Sequence, residues 1–124
     1  MMRQDLKDKW IEGLRSGKYR QGQKFFKYHD AEGNICHCAV GVLGQIMVDT
    51  GELQEYTSLP GEEYGDNPNL SKAYRFGDNL GHLSPFSRLY FQHGNAIYAM
   101  NDDEGKTFPE IADWIEKNVE VTPF

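Results

Sequence analysis

The apolar positions along this chain fall into segments of two periods. Leu6, Trp10 and Leu14 recur four apart with Ile11 beside them, so residues 5–15 predict a helix with one buried stripe. Trp10 is its core anchor, a stacking platform for a base being the weaker reading. Ser16-Gly17 ends it, glycine being favoured just past a helix end. Residues 18–23 are polar and basic and read as a loop. Phe25, Phe26 and Tyr28 predict an aromatic strand, residues 30–34 a turn whose Gly and Asn accept positive φ, and residues 35–38 a returning strand. In that strand Cys36 and Cys38 share a face and His37 points the other way. Residues 39–48 predict a second helix, apolar on most sides and therefore central. Gly41 and Gly44 inside it are poor helix formers, and their spacing predicts that another backbone packs very close.

The second half is less regular. Residues 52–69 hold two prolines, two glycines and five acids, and read as a long surface loop. A short strand is expected around Tyr74-Arg75-Phe76. Ser84-Pro85 opens a short helix with Phe86, Leu89 and Tyr90 inward, ending at His93-Gly94-Asn95. Residues 96–100 alternate as a short strand or extended entry, and residues 101–106 form an acidic turn whose Asn101 and Asp102 bond the backbone locally. Thr107 and Glu110 form a capping box for a last helix striped by Phe108, Ile111, Ala112, Ile115 and Val119. The pattern predicts an α+β fold, about three main helices around a small antiparallel sheet, in one globular domain spanning residues 1–124.

Charge changes the picture in one respect. The net charge is -6, which points away from nucleic acid. Residues 1–30 carry eight Lys and Arg against four acids, and the remainder carries five against fifteen. The basic third is expected to dock on the acidic rest, or on a second copy in a homo-oligomer. The N-terminal residues are charged and no run approaches a membrane span, so the expectation is a soluble, cytoplasmic protein with no membrane partner. Two cysteines one residue apart do not bridge each other in normal geometry, which suits a reducing compartment.

Three blocks carry a resemblance: LRSGKYRQG (Leu14 to Gly22), CHCAVGVLGQIM (Cys36 to Met47) and AMNDDEGKTFPEIADWIE (Ala99 to Glu116). Together they resemble a group of small proteins encoded by phages and prophages. That group often has adjacent cysteines before its GVL block, whereas here His37 separates them. The resemblance implies a viral accessory protein acting in the cytoplasm of a bacterial host, and no particular reaction.

Candidate chemistry centres on Cys38. A cysteine at a helix N-terminus feels the positive end of the dipole, and its thiol pKa should fall. A papain-like hydrolase or transferase would pair it with His93 or His82 and orient the imidazole with Asn95, Asn101 or Asp102, with Gln21 or Gln23 in the oxyanion site. The competing reading is a packed core cysteine. Cys36, Cys38 and His29 could approach a metal, but CxC lacks the CxxC spacing of structural zinc, and the NDDEGK turn lacks a calcium-loop frame. No metal or cofactor is expected, and no P-loop, dinucleotide or nucleophile-elbow motif is present. Arg15, Lys18, Tyr19, Arg20 and Gln21 form a glycine-flanked basic loop that could hold a phosphate-bearing ligand. The preferred expectation is a non-enzymatic binding module for a host protein or small anionic ligand, counteracting a host process such as defence.

Overall fold

The computed structural model of the protein describes residues 2–23, 25–57, 70–77 and 85–121. The chain runs α1 (Gln4–Arg15), β1 (Arg20–Gln21), β2 (Lys27–Asp30), β3 (Ile35–His37), α2 (Ala39–Asp49), β4 (Gln54–Thr57), β5 (Leu70–Gly77), α3 (Pro85–Tyr98) continuing into a π-helical turn (Ala99–Asp103), and α4 (Phe108–Asn118). The fold is α+β. Its sheet has the order β1-β3-β2-β5-β4. Among the described residues no helix is long and apolar enough to cross a membrane.

The stripes of α1 and α4 do what their spacing requires. Leu6, Trp10 and Leu14 of α1 are buried, as are Phe108, Ile111, Ala112 and Ile115 of α4, and the two helices pack on each other. Thr107 accepts from the Glu110 amide while the Glu110 carboxylate accepts from the Thr107 amide, completing the capping box. Beyond α1, Gly17 takes φ +77°, a conformation that costs a side-chain-bearing residue. The α2 helix lies at the centre, against α1 on one side and α3 on the other. Trp10 is fully buried, which removes it as a stacking platform, and its indole N–H donates to the Ala39 carbonyl at 2.8 Å.

The two glycines of α2 sit where neighbours press closest. A Cβ at Gly41 would collide with the Phe26 carbonyl, so the expected backbone approach is real there. At Gly44 the neighbour is instead a ring, with Phe76 Cδ2 2.5 Å from where a Cβ would stand. The Phe26 carbonyl accepts the Cys38 amide at 3.1 Å, locking the β2 lead-in to the start of α2.

Several expectations are corrected. Phe25 and Phe26 precede β2 rather than belonging to it, and the Phe26 carbonyl accepts from the amide of Cys38, the N-cap of α2. The basic loop contains β1, which pairs in parallel with β3 (Arg20 opposite Cys36, Gln21 opposite His37), so the sheet is mixed and not purely antiparallel. Residues 54–57 are a strand paired with β5 and not loop, and residues 58–69 lie outside the described residues. The strand around Tyr74 runs over the whole of Leu70–Gly77. The third helix does not stop at His93-Gly94-Asn95. It continues through Tyr98, and residues 96–100 are helical with Ile97 and Met100 buried, so a fourth full-length helix replaces a short one plus a strand. Gly94 and Asn95 are tolerated inside it because tertiary packing overrides weak helix propensity.

Part of the basic segment pairs with acids within the chain. Arg15 pairs with Asp113 at 2.7 Å and Glu116 at 2.8 Å, Arg3 with Glu52, and Lys27 with Glu55. Lys7 Nζ donates to the Glu116 and Val119 carbonyls at the C-terminus of α4, where a cation complements the helix dipole. The Arg15 pairs are solvent-exposed and contribute little energy individually, so they set register more than stability.

Gly41→Ala is expected to destabilise the fold by about 3 kcal/mol, because a backbone carbonyl cannot yield as a side chain can. Urea denaturation followed by circular dichroism measures it.

Candidate functional site

The π-helical turn decides the site. After Tyr98 the bonds widen, with the Glu104 amide reaching the Ala99 carbonyl at 2.8 Å and the Lys106 amide the Met100 carbonyl at 2.9 Å. Such turns often mark functional positions, because the extra residue re-aims a side chain. Here Asn101 turns inward and is only 2% exposed. Its Nδ2 donates to the Gly22 carbonyl at 2.7 Å and to Asp102 Oδ1 at 2.7 Å. Its Oδ1 accepts from Gln21 Nε2 at 3.0 Å and from the Ala39 amide at 3.3 Å. Both donors and both lone pairs are therefore used. This one side chain joins the end of β1, the start of α2 and the α3–α4 junction.

A cleft of about 200 Å³ opens beside it, between the N-terminus of α2, the Phe25-Phe26 segment and one face of α3. Its lining includes Cys38, Ala39, Val40, Tyr90, Gly94, Ile97, Tyr98 and Asp102. Cys38 is the N-cap of α2, and its Sγ accepts the Gly41 amide at 3.4 Å. The lowered thiol pKa expected from the helix dipole is contradicted. Burial pushes the thiol up to about 12, and the nearby Asp102 carboxylate adds to that, outweighing the backbone N–H of Gly41.

Among the described residues no histidine joins Cys38. His93 is on a different side of α3 from the cleft, with its ring edge-on to Trp114 at 5.8 Å. Asn95 is exposed and not part of the cleft lining, and His82 lies outside the described residues. The loop set also disperses. The Arg15 guanidinium is held by α4, Lys18 lies over the Tyr19 ring at 5.4 Å, and Tyr19 packs edge-on to His37. Arg20 is exposed on β1, while Gln21 turns inward to Asn101 and to the Lys106 carbonyl at 2.8 Å. Arg15 lines one shallow cavity, while Lys18 and Tyr19 line another. Among the described residues no three His, Cys, Asp or Glu side chains converge as metal ligands do. Cys36 is buried, and His29 bonds the Tyr74 hydroxyl at 2.9 Å.

Sequence reasoning missed two features. Asn101 looked like a local turn residue, and its partners lie 62 to 80 positions away. His37, with Lys27, forms a buried polar cluster. Lys27 Nζ donates to Gln45 Oε1 at 2.8 Å, pairs with Glu55 and lies 4.6 Å from the Tyr74 ring centre. The same Gln45 oxygen faces His37 Nε2 at 3.4 Å, so that nitrogen carries the proton. His37 Nδ1 is buried with no partner among the described residues. Burial, with Lys27 nearby, pushes the His37 pKa down to about 4.

These observations define the class: an α+β domain with an aromatic-walled cleft at the N-terminus of its central helix and no assembled acid–base or nucleophilic set among the described residues. The chain belongs to the family described as "Domain of unknown function (DUF8296)", which matches residues 2–119. No curated protein and no solved structure matches it.

Asn101→Ala strands the Gly22 carbonyl and the Ala39 amide together, and is expected to cost about 3 kcal/mol in chemical denaturation. His37 sets a pH dependence. Its folded pKa lies below its unfolded value of about 6.5, so the unfolded chain binds the proton more readily. Its contribution to stability is intact above about pH 6.5 and is lost as pH falls toward 4, with about 2 kcal/mol gone by pH 5. Urea midpoints at the two ends of that window measure the loss, and His37→Gln is expected to flatten it.

Proposed function

We propose that this protein is a non-enzymatic binding module, a small accessory protein of phage type that engages a protein of its bacterial host in the cytoplasm and blunts a host process such as defence. The observation that carries the binding reading is the cleft itself. It is open and walled by aromatic rings, and its thiol is protonated and used as a helix cap, with no histidine partner among the described residues. Tyr90 and Tyr98 on its rim stay 44% and 47% exposed, which is the kind of aromatic surface that anchors protein partners. The resemblance of the LRSGKYRQG, CHCAVGVLGQIM and AMNDDEGKTFPEIADWIE blocks to phage-encoded proteins supports the viral part of the reading.

A protein partner is preferred over a small anionic ligand at the loop after α1. The Arg15 guanidinium that would lead such a site is already paired with two carboxylates, and Gln21 faces inward.

The test separates binding from cysteine chemistry. Native protein treated with iodoacetamide at pH 7 to 9 is expected to leave Cys38 unmodified until the protein is unfolded. Rapid labelling at pH 7 overturns the proposal in favour of an activated nucleophile. In parallel, Tyr98→Ala is expected to abolish co-purification of a partner retained by the wild-type chain from host cells, with the fold unchanged because Tyr98 is exposed. Retention of the partner by that variant moves the binding surface away from the cleft.

A further inference from the structure

We infer that the junction of β3 and α2 is a proton-operated latch, in which uptake of one proton by His37 loosens the cleft wall formed by Phe26 and Cys38 while α1 and α4 stay folded. The latch acts whatever the cleft holds.

His37 is the last residue of β3 and is only 5% exposed. Its neighbours fix where its proton sits. Gln45 Nε2 donates to Asp49 Oδ1 at 3.0 Å, and Gln45 Oε1 accepts from Lys27 Nζ at 2.8 Å, so the amide is held one way round. That turns an oxygen toward His37 Nε2 at 3.4 Å, and the imidazole must donate there. Nδ1 is then left with its lone pair, buried and without a hydrogen-bond partner among the described residues. It is the one place in the ring for a further proton.

A proton at Nδ1 undoes this arrangement in two ways. It makes a buried, charged donor with no acceptor. It also sets two cations, His37 and Lys27, on one amide oxygen. The groups around the ring decide where it goes. Lys27 repels it from β2, while Glu55 on β4 and Asp49 on α2 attract it. Both carboxylates are engaged, Glu55 by Lys27 and Asp49 by Gln45. Before β1, Tyr19 packs edge-on to the ring at 5.2 Å, with Lys18 over the Tyr19 face. On β5, the Tyr74 ring backs Lys27. The imidazolium therefore gains a partner only by taking a carboxylate from one of these pairs, and it leaves its seat to do so.

The main chain ties that seat to the cleft. The His37 carbonyl accepts the Gly22 amide at 2.7 Å, and Cys38, the next residue, donates its amide to the Phe26 carbonyl at 3.1 Å. Phe26 and Cys38 both line the cleft, and Cys38 caps α2. Lys27, whose ammonium shares the Gln45 oxygen, directly follows Phe26. A displaced ring thus pulls on both ends of the Cys38–Phe26 bond. None of these hydrogen bonds involves α1 or α4.

The experiment is amide hydrogen exchange of the whole protein by NMR at pH 7.5 and pH 5, with and without about 1 M urea, together with nitrogen spectra of the imidazoles. At pH 7.5 His37 is expected in the Nε2–H form, and the Nδ1–H form overturns the inference. Opening returns the ring from a pKa of about 4 to its unfolded value of about 6.5, so Gly22 and Cys38 are expected to open roughly thirtyfold more often at pH 5, once the intrinsic effect of pH on exchange is removed. Urea is expected to leave that opening unchanged, because a local opening exposes little surface. Exchange at Gly22 and Cys38 that urea accelerates as steeply as at Leu14 of α1 and Ile115 of α4 reports unfolding of the whole chain and overturns the latch. His37→Gln keeps a donor toward Gln45 without a titrating ring, and a gain at pH 5 that survives it also overturns the latch. Gln45→Glu tests the same step in a chain that keeps its histidine. It offers both cations a carboxylate, so His37 is expected to bind its proton about tenfold more tightly without leaving its seat, and the gain at pH 5 is expected to fall by about half. An unchanged gain in that variant sinks the inference.

Discussion

The structure depends on the satisfaction of one buried amide. Asn101 sits where three segments distant in sequence meet, and each contributes a backbone or side-chain group that it pairs. An unpaired backbone polar group in a protein interior costs about as much as a lost hydrogen bond, so the arrangement holds as a unit or fails as one. The π-helical turn is what makes it possible. A regular α-helix through residues 99–103 would rotate the following side chains and direct the amide elsewhere. The widened turn aims Asn101 at Gly22 and Ala39, and aims Asp102, the next residue, into the cleft. The rigid centre of the fold and the exposed functional surface are therefore set by adjacent side chains.

Competition between burial and electrostatics decides the character of the polar groups around α2. At Cys38 the helix N-terminus lowers the thiol pKa and desolvation raises it, and desolvation wins because the sulfur is enclosed and a carboxylate stands nearby. At His37 the same force acts in the opposite direction, holding the ring neutral. Lys27 is ringed by the Gln45 oxygen, the Glu55 carboxylate and the face of Tyr74. A buried ammonium needs such partners, since the desolvation of an unpaired charge is prohibitive. These three groups sit on either side of the helix start, so the central helix separates a closed polar cluster on the sheet side from an open cleft on the α3 side.

Long-range charge pairing plays a smaller, orienting part. The basic early segment meets the acidic later ones at Arg3 with Glu52, Arg15 with α4 and Lys7 with the α4 carbonyls. Pairing Arg15 this way takes away the cation around which a phosphate site after α1 would be built.

The sequence by itself determined the elements whose information is local. The stripes of α1 and α4, the Thr107 capping box, the turn at Asp30 to Asn34, the central apolar α2 and the glycines that admit close neighbours all follow from spacing and residue type. The α+β class followed from them. What only the tertiary structure decided was long-range. The continuation of α3 through His93-Gly94-Asn95 depends on packing that outweighs propensity, and the parallel pairing of β1 with β3 depends on where β1 lands after α1. Of the candidate site, the sequence singled out Cys38, Gln21, Asn101 and Asp102 as polar groups with possible roles, and the structure brings them together. It separates His93 from them, because a residue on a helix faces one direction only and His93 faces Trp114. The sequence pattern placed Tyr90 inward, whereas it stands exposed on the cleft rim, and it was silent on Tyr98 as a cleft wall and on Asn101 as the junction. Nothing local distinguishes a tyrosine packed inward from one left on a rim, or a turn asparagine from a buried one. Those roles exist only when residues tens of positions apart are brought within hydrogen-bond distance.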